Sequence, residues 1–317
     1  MSAPTPQPAR PEKPKSRVGL WVTIAIVAVL AVIAAFVVPK LTQSSDADAK
    51  PAAGSEEVTK VKLGVNDIAE AHWEVLVDLA AEENIEVELV SFTDYTTPNP
   101  ALASGDIDIN KFQHVRYLAQ HVATQGDDLV PIGSTEIFPI SIFSKQWSSI
   151  DEVPEGGEVT ISNNPANQVR PLLALYNAGL IAFKGEADWN VTIDDIDYEA
   201  SKLGKVTPID PSQTAASLDS VDIAFVDTPF QLAAGLGEKE TIYREDANRP
   251  DLQQYVNVFA VRGEDRDNKA LKRVAELYHA PEVQAVITEH PEYDGVEKDE
   301  TQDDLLKVLA EQIKEFE

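Results

Sequence analysis

No cysteine occurs in the 317 residues, which excludes disulfide scaffolds, thiolate metal sites, cysteine nucleophiles and lipid attachment through Cys. Basic side chains are scarce too: 26 Lys and Arg stand against 54 Asp and Glu, for a net charge of -28. A surface so acidic repels phosphate backbones, so no nucleic-acid partner is expected. There is no G-x-S-x-G elbow, no H-E-x-x-H and no phosphate-cradling Gly-rich loop, which removes the common signatures of hydrolases and nucleotide enzymes. The five histidines (His72, His114, His121, His279, His290) have no metal-like spacing, and no metal or cofactor is expected. Carboxylates are too abundant for any pair of them to mark a general acid and base.

What is present reads as a folded protein, with 43% hydrophobic and 25% charged residues. The length favours about two lobes over one core. A basic, Pro-rich leader (1–18) carries Arg10, Lys13, Lys15 and Arg17 against the single acid Glu12. From Gly19 to Val38 run twenty residues without a charge, long enough to span roughly 30 Å of hydrocarbon as a helix. Basic residues precede this run and acidic ones follow, so the positive-inside rule leaves the leader in the cytoplasm and the bulk of the chain outside the cell membrane. A cleaved signal peptide is the competing reading, because Ala47-Asp48-Ala49 is a small-x-small pattern. Residues 39–57 are rich in Ser, Ala, Pro and Asp and read as a flexible tether.

Beyond the tether, strand and helix periodicities alternate. Val58–Val65 and Ile85–Val90 alternate as half-buried strands around a helix over Glu70–Glu82, which implies a βαβ unit with a parallel sheet. Further strands fit Asp106–Ile109, Leu129–Gly133, Ile137–Phe143, Glu158–Ile161, Tyr198–Ala200, Asp222–Val226 and Val256–Val261. Helices fit Phe112–Thr124, Asn167–Ala178, Thr192–Asp195, Phe230–Ala234, Asp267–His279, Pro281–His290 and Asp303–Phe316. The fold class is therefore α/β throughout.

Two stretches can carry chemistry. Phe112-Gln113-His114-Val115-Arg116-Tyr117 gathers aromatics, an imidazole and a guanidinium within about two helical turns; it either lines a pocket or packs a core. Ser162–Arg170 follows a strand and opens a Leu-rich helix. Its free N–H groups could seat a carboxylate or phosphate with Arg170 as a bidentate clamp, or could be a plain capped helix start.

Four segments resemble one known family: VKLGV at 61–65, FTDYTTPNPALASGDIDINKFQH at 92–114, SNNPANQVRPLLAL at 162–175 and VDIAFVDTPFQLAAGL at 221–236. From about Val61 to the last helices the chain is similar to the methionine-binding lipoproteins of bacterial ABC importers, the NlpA or MetQ family. The resemblance implies a bilobed periplasmic-binding-protein fold, two α/β lobes with a hinge, behind the N-terminal transmembrane helix. Lobe 1 is expected over 58–140 and 251–317 and lobe 2 over 141–250. It assigns Arg170 and Asn167 to the α-carboxylate of an amino-acid ligand, Tyr95, Phe112, His114 and Tyr117 to its side chain, and Asp227 to its ammonium. It implies as partners the permease and ATPase subunits of a methionine-type importer. The chain departs from the family at Asp227, usually Asn, at Lys111, usually aromatic, at Arg116, usually Pro, and at Ile140, usually Met. These changes admit methionine, a ligand with an acidic or longer polar side chain, or a dipeptide. A buried Lys111 would need a partner, either Asp227 or, if it turns outward, solvent. The alternative reading is an extracytoplasmic hydrolase that uses His114 with a nearby carboxylate.

Overall fold

A computed structural model describes residues 58–291 and 293–317. The leader, the apolar run 19–38 and the tether lie outside the described residues. Among those described, no helix is long and apolar enough to cross a membrane.

The chain begins with β1 (Thr59–Val65), α1 (His72–Glu82), β2 (Ile85–Ser91), α2 (Pro98–Ser104), β3 (Ile109–His114), α3 (Val115–Gln125) and β4 (Leu129–Ser134). After a short β5 (Glu136–Ile137) come β6 (Ser141–Phe143), β7 (Gly157–Ser162), α4 (Val169–Asn177), β8 (Leu203–Ile209), α5 (Thr214–Ser217), β9 (Ile223–Phe225), α6 (Thr228–Ala234) and β10 (Thr241–Arg244). The chain then returns with β11 (Asn257–Arg262), α7 (Lys269–Leu277), α8 (Pro281–Glu289), β12 (Val296–Glu297) and α9 (Gln302–Ile313).

Two five-stranded sheets result, in the orders β2-β1-β3-β11-β4 and β10-β6-β9-β7-β8. The alternation of β1 and β2 makes them parallel neighbours with α1 as the crossover, Val61 opposite Val87 and Leu63 opposite Leu89. β11 runs antiparallel between β3 and β4, so residues from late in the chain complete the first sheet. Trp73, Leu76, Phe259 and Val274 pack on one face of it; Leu118, Val258, Leu305 and Leu309 fill the other. The second sheet has its own core around Val159, Ile161, Leu172 and Leu175. The chain crosses between the sheets twice, over 135–140 and over 245–256.

The structure corrects the sequence reading in places that shape the site. The helix expected over Phe112–Thr124 starts only at Val115, because Phe112, Gln113 and His114 finish β3. Gln113 is held there by a buried amide cluster: its Nε2 donates to Asn99 Oδ1 (2.7 Å), and Asn99 Nδ2 donates to Gln113 Oε1 (2.8 Å). His114 is the N-cap of α3, its Nδ1 accepting from the Tyr117 backbone N–H at 3.1 Å. The single strand expected over Ile137–Phe143 is broken into β5 and β6, since Pro139 has no N–H to place in a ladder. Tyr198–Ala200 is a turn, and the strand is β8, whose Pro208 is tolerated because β8 is an edge strand.

Candidate functional site

A cavity of about 380 Å³ is lined by residues that follow strands of both sheets. Tyr95, Phe112, His114, Tyr117, Asn167, Arg170 and Asp227, which the sequence singled out, all line it. The first four come from the loop after β2, the end of β3 and the first turn of α3. Asn167 ends a 3-10 turn (Pro165–Asn167), Arg170 is in the first turn of α4, and Asp227 is the N-cap of α6. Three aromatic rings form one wall, Tyr95 standing 6.2 Å from Phe112 and 6.1 Å from Tyr117, centroid to centroid; Phe230 packs against Tyr95 at 5.4 Å. The Tyr117 hydroxyl donates to the Tyr95 carbonyl at 2.7 Å, which fixes both rings.

His114 is fully committed. Since Nδ1 accepts from Tyr117, Nε2 carries the proton and donates to Asn167 Oδ1 at 3.0 Å. Burial, with Arg170 and Arg116 nearby, lowers its pKa to about 3 and keeps it neutral. No carboxylate bonds to it among the described residues, so the acid–base pair that the hydrolase reading requires is not formed. Asn167 is in turn oriented by this bond, with its amide nitrogen turned to the Asp227 carboxylate.

Arg170 is not the open fork that its position in the sequence suggested. Its Nε donates to Glu245 Oε2 at 2.8 Å, and its Nη2 lies 2.5 Å from the same oxygen and donates to the Phe138 carbonyl at 2.9 Å. The guanidinium sits 4.8 Å over the Tyr255 ring. Both ends of the fork that would grip a carboxylate bidentately are thus occupied, and Nη1 is the donor without a partner among the described residues. Glu245 itself is 6% exposed and shares its other oxygen with Arg249 at 3.3 Å.

Asp227 carries the opposite potential. Its Oδ2 is buried and accepts no hydrogen bond. Burial pushes its pKa up to about 6, with Tyr95, Arg170 and Asn167 beside it limiting the rise. The Tyr95 hydroxyl and the Asn167 amide bond to this carboxylate, so an ammonium group would join a partly satisfied acceptor.

Lys111 turns neither to solvent nor to Asp227. It is 5% exposed; Nζ lies 3.0 Å from Glu136 Oε1, without hydrogen-bond alignment, and 3.8 Å from Asp67 Oδ2. Burial opposes its charge, but Glu136 and Asp67 more than offset this and hold its pKa above the ordinary value. The Tyr278 hydroxyl donates to Glu136 Oε2 at 2.7 Å. Arg116, the other unusual cation, is buried under Phe316 and donates to Gln312 Oε1, away from the cavity. Sequence reasoning missed Glu245, Tyr255, Glu136 and Asp67. The first two sit on the second crossing and the third on the first; no local pattern marks them, and only the demand of a buried cation for a counter-charge pointed to their existence.

Two α/β lobes that share a cleft, with an ammonium acceptor, a guanidinium and an aromatic wall facing into it, define a bilobed substrate-binding protein. The model of the NlpA lipoprotein family matches residues 61–300, and the chain belongs to that family. A probable D-methionine-binding lipoprotein MetQ of Pasteurella multocida is 36% identical over 250 residues, 77% of this chain and 89% of that one. Among solved structures, protein PG110 from Staphylococcus aureus superposes with a TM-score of 0.75 at 33% identity, covering 80% of this chain and 99% of its own. A nutrient binding protein from Burkholderia cenocepacia bound to methionine gives a TM-score of 0.69 at 34% identity, covering 76% and 100%. The chain is a binding protein and not an enzyme.

Proposed function

We infer that this chain is the extracytoplasmic solute-binding component of an ABC importer, capturing a free amino acid between its lobes and delivering it to the permease and ATPase subunits. The observation that carries the reading is the meeting, in one cavity, of the buried carboxylate of Asp227 with the Asn167 amide and the unpartnered Nη1 of Arg170. A zwitterion buried there has both charges met, and leaving either unpaired would be costly. Tyr95, Phe112 and Tyr117 face the side chain, with His114 as the neutral brace that aims Asn167. The relatives' binding of methionine supports an amino acid of at least that size.

The moving bodies are residues 58–140 with 251–317 and residues 141–250, hinged at the two crossings. Residues 19–38 anchor the chain as an uncleaved helix, which replaces the thioether lipid that the absence of cysteine forbids. Calorimetric titration of the full-length protein in detergent with a panel of amino acids tests the function. Saturable one-to-one binding without turnover is the expected result, and failure of every amino acid to bind overturns it.

A further inference from the structure

The same cavity has a further group of lining residues, here called its second arm, that the reading above leaves unused. An engineered cavity of roughly 150 Å³ holds one benzene, so the 380 Å³ here leaves room for roughly 15 non-hydrogen atoms, more than methionine supplies. The arm is walled by Asp67, Glu70, His72, Lys111 and Tyr278, with Glu136 immediately behind Lys111.

His72 is 7% exposed, lines the cavity, and makes no hydrogen bond to any described residue, its Nε2 being fully buried without a partner. Burial and the charge of Lys111 keep it neutral, its pKa lowered to about 3, so it has one nitrogen that can accept. Three carboxylates, Asp67, Glu70 and Glu136, act on the single cation Lys111. Lys111 is closest to Glu136 and touches Asp67 only at 3.8 Å, while Asp67 Oδ1 takes the Trp73 indole N–H at 2.8 Å. Asp67 and Glu70 thus leave the arm with net negative charge in a partly closed space, where a charge acts more strongly than in water. Tyr95 joins the two arms: its hydroxyl lies in the field of both Asp227 and Asp67.

We propose that the second arm receives a cationic group, so that the ligand class of this site is an α-amino acid with a second positive centre on its side chain. The proposal rests on the reading above, with the α-end of that ligand against Asn167, Arg170 and Asp227. A distal ammonium or guanidinium would donate to Asp67 Oδ2 and Glu70 beside the His72 ring. An uncharged side chain leaves Lys111 as the one cation among these carboxylates. Lys111, neutralised by Glu136, then shapes the arm's wall and excludes an acidic side chain through the crowded carboxylates around it.

The test is calorimetric titration of the full-length protein in detergent with L-norleucine, L-methionine, L-ornithine, L-lysine and L-arginine. At least one basic amino acid should bind tenfold or more tightly than L-norleucine, and Asp67→Asn, which keeps an acceptor for Trp73, should cut that ratio below threefold. Methionine and norleucine binding at least as tightly as every basic amino acid overturns the second arm while leaving the amino-acid site standing. A basic preference that the double variant Asp67→Asn/Glu70→Gln does not change places selection outside these two carboxylates and also overturns it. If none of the five binds, the reading of the site as an amino-acid site falls with it.

Discussion

Replacing Arg170 by Ala separates two roles that this side chain holds at once. Without ligand, Arg170 neutralises Glu245, whose side chain is 4% exposed and receives both Nε and Nη2. Removing one partner of a buried pair costs about 3–5 kcal/mol when the other charge is stranded. Here Arg249 remains 3.3 Å from Glu245 and meets part of the stranded charge, so the cost falls to the bottom of that range or just under it, about 2–3 kcal/mol. For a chain of this size that is a fall in Tm of about 4–12 °C. In the binding role only Nη1 is free, a single charge-assisted hydrogen bond, so the loss of affinity is about 1.5–3 kcal/mol, or roughly 10- to 150-fold. Thermal melts of the ligand-free protein and calorimetric titration read the two effects. The double variant Arg170→Ala/Glu245→Gln discriminates further: with no charge stranded it should regain most of the lost stability and none of the lost affinity. Unchanged affinity in Arg170→Ala refutes the role in binding, and an unchanged melt refutes the buried pair.

Three other outcomes follow from the same geometry. Asp227 has its folded pKa raised to about 6 from 3.8, so the folded chain holds the proton more tightly than the unfolded one. The ligand-free fold is therefore favoured below pH 3.8 and loses this contribution, on the order of 2–3 kcal/mol, as pH rises to about 6. Ligand affinity runs the other way, falling by up to about tenfold per pH unit below pH 6 because only the carboxylate pairs with an ammonium, and Asp227→Asn should flatten both profiles in melts and titrations. Expression of residues 58–140 alone should give no cooperative unfolding transition by circular dichroism. That fragment lacks β11, which joins β3 to β4 inside the sheet, and the buried Leu305 and Leu309, each leucine being worth about 2–5 kcal/mol by truncation. Mass spectrometry of the membrane fraction should find an N-terminus at or next to Met1; a start at Lys50 would show that the apolar run is removed.

Legibility in the sequence followed the range of the interactions. β1, α1 and β2 were readable because one face of each is buried and the other wet, so periodicity alone defines them. The end of β3 was not: Phe112, Gln113 and His114 sit beside helix formers, and what holds them extended is the pairing of β3 with β1 and β11 and the amide cluster with Asn99, contacts that span 14 residues and more. The seven candidate site residues were reached through the resemblance, and the cavity does gather them. Their charge state was not legible, since Glu245 lies 75 residues from Arg170 in the chain and nothing local to either announces the other.

That charge state decides what the cavity selects. Both of its cations arrive already paired, Arg170 with Glu245 and Lys111 with Glu136, and both carboxylates open the crossings between the sheets, Glu136 the first and Glu245 the second. A counter-charge on a connecting segment neutralises a cation without occupying space inside the cavity, and the acids left lining it are Asp227, Asp67, Glu70 and Glu289; on the proposed reading the ligand meets the first three. Selectivity then lies with the ammonium end and not with the carboxylate end, which inverts the emphasis that a lone arginine at a helix start suggests. The departure from Asn to Asp at position 227 and the departure to Lys at position 111 belong to one arrangement: each adds a charge, but only that of Asp227 is left for the ligand to answer.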